Sequence, residues 1–201
     1  MQLILIRHAL PERVESVGGT PADPPLSEVG RAQAEKLAAW LADERVDALY
    51  VSPMRRARET VVPIAKGRGL EPRVVEGVAE FDRESDVYIP MEELKARDYD
   101  RWKELVDGGW YLENDVEGFR RDVIRTLEAV IEENHGRHVA VVCHGGVINA
   151  WSSHVLGIER IFHFDPDYTS VSRFLAARSG ERSLASLNET AHLRGHPDLN
   201  R

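Results

Sequence analysis

Residues 138–146 read HVAVVCHGG, the most apolar stretch of the chain, which ends in a histidine and two glycines. A short run of β-branched residues bounded by polar ones is typical of a strand buried on both faces of a parallel sheet. Helical periodicity follows, so His144 lies in a strand-to-helix turn. The two glycines let the backbone approach a ligand closely, and the helix N-terminus after them can donate N–H groups. An ordinary turn carrying a surface histidine is the alternative.

The same order of strand, turn and helix recurs in the rest of the chain. Short apolar runs predict strands at residues 1–7, 47–51 and 73–78. Apolar positions near a helical period predict helices at 27–44, 54–66 and 116–133, with Ser27 as a cap and Pro53 at the start of the second helix. Alternation of period two predicts edge strands at 170–176 and 184–187. This order predicts a three-layer α/β/α sandwich with a mostly parallel central sheet.

We expect one domain, covering residues 1–201. The chain has 201 residues, 42% of them hydrophobic, which suffices for one buried core and does not require a second domain. Residues 81–111 are charged and aromatic without a long apolar run, which predicts a lid or an insertion. Its aromatic residues form either a substrate wall or ordinary packing near helices; they are Tyr99, Trp102, Trp110 and Tyr111.

The net charge narrows the classes of partner. Lys and Arg number 26 against 34 Asp and Glu, a net charge of -8, which repels nucleic-acid phosphates and anionic lipid headgroups. We therefore expect neither a nucleic acid nor a membrane as a partner. A small anionic substrate is compatible with this charge, because the potential in a pocket depends on the few residues that line it.

Cysteine usage and hydropathy predict a soluble cytoplasmic protein. The single cysteine, Cys143, lies in an apolar run and is expected to be a buried thiol, which suits a reducing compartment. The opening apolar run, residues 3–6, ends at Arg7 and is shorter than the roughly 7 to 15 apolar residues of a signal peptide. No stretch reaches the roughly 20 apolar residues of a membrane span.

Groups that can carry positive charge follow three of the predicted strands. Ligands of parallel sheets bind beyond the carboxyl ends of the strands, where His8, Arg56 and His144 lie. Arg7 ends a buried strand, and a buried guanidinium needs an anionic partner, either a bound phosphate or a structural carboxylate. His8 taken alone is equally compatible with a core histidine bonded to backbone.

The second junction, residues 52–60, reads SPMRRARET. Arg56 lies in the first turns of a helix whose N-terminus favours anions, so its guanidinium can hold two phosphate oxygens. Arg55 and Arg58 are expected to face solvent or the outer part of a substrate. The alternative is a solvated basic helix face paired with Glu59.

Four segments, in order, resemble the histidine phosphatase superfamily, which includes cofactor-dependent phosphoglycerate mutases, acid phosphatases and phosphohistidine phosphatases. Arg7-His8-Ala9 resembles the Arg-His-Gly signature of that family, and residues 26–34, LSEVGRAQA, resemble its first-helix motif. Residues 52–60 are similar to its second-arginine motif, and His144-Gly145 to its second-histidine motif. The resemblance extends from residue 1 to about residue 156, and the joint occurrence of the motifs is far more specific than any one of them.

The resemblance implies a role for each matching residue. His8 would be the nucleophile that forms a phosphohistidine, while Arg7, Arg56 and His144 would hold the phosphoryl oxygens. Glu80 matches by position the carboxylic acid that protonates the leaving group. An acidic solvated loop is the alternative there, because Asp82 and two further carboxylates follow closely. No metal and no cofactor are implied, since side chains can supply the positive charge that phosphoryl transfer requires.

The expected function is that of a metal-independent phosphomonoesterase acting on a small phosphorylated metabolite and releasing inorganic phosphate. Leu10 and Val14 stand where the mutases carry a glutamate and an asparagine, which weakens the phosphoglycerate mutase alternative. Ala9 replaces the usual glycine and is expected to add a methyl group beside the phosphate pocket. A catalytically inactive phosphate-binding or protein-interaction module is the third alternative. A homodimer is an expectation from the family resemblance alone.

Overall fold

The computed structural model of the chain describes residues 1–14, 20–100, 102–103 and 115–199. Within them, six strands form one sheet in the order β3-β2-β4-β1-β5-β6. The strands are β1 Gln2–Arg7, β2 Ala48–Val51, β3 Arg73–Val74, β4 His138–Cys143, β5 Val171–Ala176 and β6 Arg182–Glu189. β3, β2, β4 and β1 are mutually parallel, and β5 is antiparallel to both β1 and β6.

Helices cover both faces of this sheet. They are α1 Glu28–Leu41, α2 Arg55–Arg68, α3 Met91–Arg97, α4 Val116–Glu133 and α5 Gly145–Leu156. Ser27 caps α1 by accepting a hydrogen bond from Gly30 N at 3.0 Å, as predicted. Asp115 caps α4 by accepting one from Gly118 N at 2.7 Å. Side-chain capping satisfies N–H groups that the first helical turn leaves without a partner.

The alternating side chains of β1 divide the core between two layers. Leu3 and Leu5 pack with the apolar faces of α4 and α5, including the fully buried Trp151. Ile4 and Ile6 pack on the opposite face with α1 and α2. Because successive strand residues point to opposite faces, an unbroken apolar strand requires a helical layer on each side. The predicted three-layer α/β sandwich is confirmed.

Two strand predictions were wrong in detail. The predicted strand at 73–78 ends at Val74, and Glu76–Val78 forms a 3-10 helix. The turn packs Gly77 so tightly on α4 that any Cβ there would overlap Thr126 Oγ1. Residues 170–176 were predicted as an edge strand, but β5 lies between β1 and β6. Its period-two pattern reflects unequal cover of its two faces, which does not depend on position in the sheet.

The described part of the predicted lid, residues 81–100 and 102–103, lies over the loop after β1. Val14 and Tyr88 exchange backbone hydrogen bonds of 2.9 Å in both directions, which joins the two segments. The rest of the predicted lid, including Trp110 and Tyr111, lies outside the described residues. In the part of the chain that the structure describes, no helix combines the length and apolarity that crossing a bilayer would need.

Candidate active site

Three strand ends meet at one edge of the sheet and bring the predicted phosphate-binding residues together. His8 follows β1, His144 follows β4, and Arg56 is the second residue of α2, just after β2. These strands are parallel neighbours, so their carboxyl ends lie side by side. The rings of His8 and His144 have centroids 5.0 Å apart, and Arg56 Nε lies 3.3 Å from His8 Nε2. With Arg7 at the end of β1, all four side chains are buried.

The hydrogen bonds of His8 define its tautomer. Nδ1 lies 2.8 Å from the backbone carbonyl of Ala9, and a carbonyl only accepts, so Nδ1 carries the proton. Nε2 is then unprotonated and accepts from Arg56 Nε. Burial and the guanidinium groups of Arg56 and Arg7 lower the pKa of His8 well below its usual range. The imidazole is therefore neutral at pH 7, with a lone pair on Nε2.

Arg7 is held from two sides. Its guanidinium donates a hydrogen bond to the Pro166 carbonyl, and its Cζ lies 3.9 Å from the ring centroid of Tyr168. A neutral carbonyl and an aromatic face orient a guanidinium without neutralising its charge. These two contacts fix the direction in which the Arg7 side chain points.

Arg56 is 1% exposed and lies between an acid and an aromatic ring. Its Nη2 is 3.5 Å from Asp82 Oδ1, and its Cζ is 4.7 Å from the Tyr88 ring centroid. Nη1 is buried and has no hydrogen-bond partner among the described residues. A buried donor left without an acceptor costs free energy, so this atom favours an incoming anion.

The other arginines of this motif lie outside the site. Arg55 pairs with Glu59 at 2.7 Å on an exposed face, and Arg58 is exposed, as the solvated-face alternative described. The backbone N–H of Arg55 donates to the Asp23 carboxylate at 2.8 Å, so a side chain occupies the start of α2. Arg56 contributes its side chain to the site, and the first N–H of α2, that of Arg55, is already bonded to Asp23.

His144 is fully buried beside His8. Its Nε2 lies 2.7 Å from Ser52 Oγ, and its Nδ1 has no hydrogen-bond partner among the described residues. Burial, followed by the charge of Arg56, lowers the pKa of His144 well below its usual range. The ring is therefore neutral and has one unused nitrogen.

Glu80 lies at the start of α5, after the 3-10 helix. Its Oε2 accepts from Gly146 N at 3.0 Å and its Oε1 from Phe81 N at 3.2 Å. Burial and the neighbouring Asp82 raise the pKa of Glu80 to about 7, although both hydrogen bonds act in the opposite direction. A Cβ on Gly146 would overlap Glu80 Oε1, so this contact requires glycine. The carboxyl group is poised between its two protonation states near neutral pH.

A cavity of about 950 Å³ opens at this edge of the sheet. Of the predicted residues, Arg7, His8, Arg56 and Glu80 line it, whereas His144 does not. Ala9 is not a lining residue either; it packs with Leu26 and Ala34, so its methyl group is directed into the core and not into the pocket. Among the described residues, no three His, Cys, Asp or Glu side chains are placed to hold a metal.

The structure adds residues that the sequence did not single out for chemistry. Ser52 bonds His144, Asp82 pairs with Arg56, and Tyr168 stacks on Arg7. Thr60 Oγ1 accepts from Ala9 N at 2.9 Å and donates to the Arg56 carbonyl at 2.7 Å, which ties the loop after β1 to α2. Ser52 and Thr60 begin and end the second-arginine motif, which is a signal that could have found them.

Comparisons with known proteins agree with this geometry. The family model described as histidine phosphatase superfamily (branch 1) matches residues 3–190. Phosphoserine phosphatase 1 of Hydrogenobacter thermophilus is 31% identical over 96% of this chain and 94% of its own.

Solved structures share the fold. A phosphoserine phosphatase from Entamoeba histolytica, crystallised with 3-phosphoglyceric acid, has a TM-score of 0.72 at 24% identity over 96% of this chain and 98% of that one. The α-ribazole phosphatase of Shigella flexneri has a TM-score of 0.71 at 23% identity over 94% and 96%. On the family match and the sequence relative, this chain belongs to the histidine phosphatase superfamily, branch 1, and is a phosphoric monoester hydrolase of that superfamily.

Proposed function

We propose that this phosphatase hydrolyses a small organic phosphomonoester through a phosphohistidine on Nε2 of His8, with neither a metal nor a cofactor. The observation that carries the proposal is the hydrogen bond from His8 Nδ1 to the Ala9 carbonyl, which keeps the proton on Nδ1 and the lone pair on Nε2. Burial and two neighbouring guanidiniums keep this ring neutral, as a nucleophile requires.

Arg7, Arg56 and His144 are the proposed ligands of the phosphoryl oxygens. Arg56 Nη1 and His144 Nδ1 support this role because both are buried without a partner among the described residues. His144 does not line the cavity, but its ring centroid lies 5.0 Å from that of His8, the proposed nucleophile. Fixed donors around a group whose charge lies on its oxygens stabilise a phosphoryl-transfer transition state without reorganising. The protein already holds two of these side chains in place: Asp82 pairs with Arg56, and Ser52 bonds His144.

In the first step, His8 Nε2 attacks phosphorus and forms a P–N bond. The P–O bond to the alcohol breaks, and its electron pair goes to the leaving oxygen, which takes the proton of the Glu80 carboxyl group. A pKa of about 7 leaves about half of Glu80 protonated near neutral pH, which suits a general acid.

In the second step, water attacks the phosphorus of phosphohistidine and gives a proton to the Glu80 carboxylate. The P–N bond breaks and its electron pair returns to Nε2. The products are the alcohol and inorganic phosphate, and both His8 and Glu80 regain their starting protonation states.

Residues 81–111 are the proposed lid of this single domain. The described part of that segment contributes four residues to the lining of the cavity, which supports the proposal: Phe81, Tyr88, Leu94 and Trp102. A lid in this position would exclude water from the phosphoryl group during the first step.

Phosphate release from p-nitrophenyl phosphate in the presence of a chelator tests the proposal. We expect His8→Ala to lose at least a thousandfold in kcat, and His154→Ala, an exposed histidine of α5, to retain activity. Rapid quenching after addition of labelled substrate should trap an acid-labile, base-stable phosphoenzyme in the wild type alone. Chelator-sensitive turnover, or full activity of His8→Ala, would contradict the proposal.

Product analysis with 3-phosphoglycerate separates hydrolysis from the mutase alternative. Hydrolysis releases inorganic phosphate with or without 2,3-bisphosphoglycerate. Formation of 2-phosphoglycerate that depends on the bisphosphate would instead identify a mutase. A wild-type protein that binds phosphate but turns over none of these esters would be the inactive module.

A further inference from the structure

We propose that the alcohol part of the substrate has an apolar body and carries no carboxylate, in contrast to phosphoserine and phosphoglycerate. The inference rests on the proposed function, which assigns the phosphoryl group to the inner end of the cavity. It concerns the outer end, where the leaving group must lie.

The outer end of the cavity has an apolar wall. The residues that form it are Phe81, Ile89, Leu94, Trp102, Phe162 and Phe164. Ring centroids of Phe81 and Phe162 lie 5.3 Å apart, and Phe119 packs behind Phe81 at 5.7 Å. Phe81 directly follows Glu80, the proposed acid, so the wall begins where the leaving oxygen receives its proton. An apolar leaving group would remove this surface from water.

Part of the wall is preformed by Asn149, a buried residue of α5. Its Oδ1 accepts from His163 N at 3.0 Å and Phe164 N at 3.2 Å, and its Nδ2 donates to the Phe164 carbonyl at 3.0 Å. These three bonds fix the loop that carries Phe162 and Phe164. Ordering this apolar surface therefore costs little when a substrate binds.

The charges of the cavity disfavour a carboxylate in the leaving group. Arg7 and Arg56 are committed to the phosphoryl group, and among the described lining residues the outer cavity adds one further arginine, Arg160. Four carboxylates line the same cavity: Glu117, Glu159, Asp165 and Asp115, the last of which already caps α4 and lies 3.9 Å from Arg121 Nη2. A substrate carboxylate would be repelled there more than attracted.

His163, which also lines the cavity, does not change this balance of charges. Its Nδ1 lies 2.9 Å from the Ile161 carbonyl and its Nε2 lies 3.3 Å from Ser152 Oγ. Both ring nitrogens are thus engaged by the protein, and neither is left to bind a substrate carboxylate.

The size of the cavity agrees with a larger leaving group. Its volume of about 950 Å³ lies near the top of the range of roughly 300 to 1,000 Å³ in which proteins bind drug-sized molecules. A phosphoryl group on a three-carbon acid would leave most of the apolar wall in contact with water.

Two pairs of esters with similar leaving oxygens test the inference. We expect kcat/KM for 2-phenylethyl phosphate to exceed that for ethyl phosphate at least tenfold, and kcat/KM for phosphoethanolamine to exceed that for phosphoserine at least tenfold. Equal or higher kcat/KM for phosphoserine would overturn the inference. If His8→Ala hydrolysed ethyl phosphate as fast as the wild type, the proposed function would fail instead.

Two variants test whether the outer cavity causes the preference for apolar leaving groups without a carboxylate. Phe162→Ala should lower kcat/KM for 2-phenylethyl phosphate about tenfold more than kcat/KM for ethyl phosphate, and thermal unfolding of the variant controls for folding. Glu117→Lys should raise kcat/KM for phosphoserine at least fivefold, whereas Glu132→Lys, the same charge change at the far end of α4, should not. If neither variant changed the ratio of kcat/KM between the paired esters, the assignment of this wall would be contradicted.

Binding measurements with analogues that cannot be hydrolysed test the inference independently of turnover. Calorimetric titration of wild-type protein with the phosphonate analogues of 2-phenylethyl phosphate and phosphoserine should give at least tenfold tighter binding of the first. Tighter binding of the phosphoserine analogue would overturn the inference even if no ester were hydrolysed.

Discussion

Glu80 accepts a hydrogen bond from the backbone N–H of Gly146 at 3.0 Å, which fixes a carboxyl group at the first turn of α5. The two residues are far apart in sequence but meet because α5 begins where β4 ends. The N-terminus of α5 stabilises the carboxylate, while burial and Asp82 favour the protonated acid. The balance gives Glu80 a pKa of about 7, so the acid can serve in both steps of the proposed reaction.

The pH dependence of turnover should report this carboxyl group. Because the pKa of Glu80 is raised to about 7, the protonated acid predominates below pH 7 and is lost above it. We expect kcat/KM for an alkyl phosphate to fall about tenfold per pH unit above that value. Glu80→Gln should abolish this dependence on pH and lower kcat about 100- to 1,000-fold. Glu84→Gln, at an exposed neighbouring residue, should keep the pH dependence and the kcat of the wild type. A pH profile unchanged by Glu80→Gln would refute the assignment.

Gly146→Ala should displace Glu80. The added Cβ would overlap Oε1 of the carboxylate, so the acid must shift from the position that protonates the leaving oxygen. We expect kcat for an alkyl phosphate to fall at least thirtyfold, with a smaller fall for p-nitrophenyl phosphate, whose leaving group needs less protonation. Gly145→Ala is the matched comparison, since its Cβ would make only ordinary contacts, the nearest at 3.7 Å. Equal losses in the two alanine variants would contradict this account.

Ser52→Ala should affect catalysis through His144. The hydroxyl group lies 2.7 Å from His144 Nε2, and its loss frees a buried ring that the structure otherwise fixes. We expect kcat to fall about 10- to 100-fold with KM changed less than threefold, and Ser52→Thr to restore most of the loss. Steady-state kinetics and thermal unfolding of both variants provide the measurement. A fall in melting temperature without a fall in kcat would assign Ser52 to folding alone.

Acid should destabilise the protein partly through His192, which lies outside the site. Burial lowers the pKa of His192 to about 4, whereas in the unfolded chain it is about 6.5. As the pH falls from 6.5 to 4, the unfolded state takes up the proton first, so the stability contributed by the neutral ring is lost, by about 3 kcal/mol at most. His192→Gln should show a smaller fall in the free energy of unfolding across this window, measured by urea denaturation. An equal fall in both proteins would contradict the assignment.

Periodicity predicted the layers well but not the ends of the elements. The alternation in β1 and the helical faces of α1 and α4 are local features that burial on both sides of a sheet imposes. The position of β5 inside the sheet and the short β3 depend on contacts with β6 and Thr126, which are far away in the sequence. Local pattern cannot encode such contacts.

The sequence by itself determined which chemistry this chain can carry, because His8, Arg7, Arg56 and His144 stand in motifs tied to the ends of three strands. Only the tertiary structure decided the state of those groups. The tautomer of His8 depends on the Ala9 carbonyl, and the raised pKa of Glu80 depends on burial and on Asp82. The physical reason is that residue type sets what a side chain can donate or accept, whereas desolvation and partners, which set its protonation, exist only after folding.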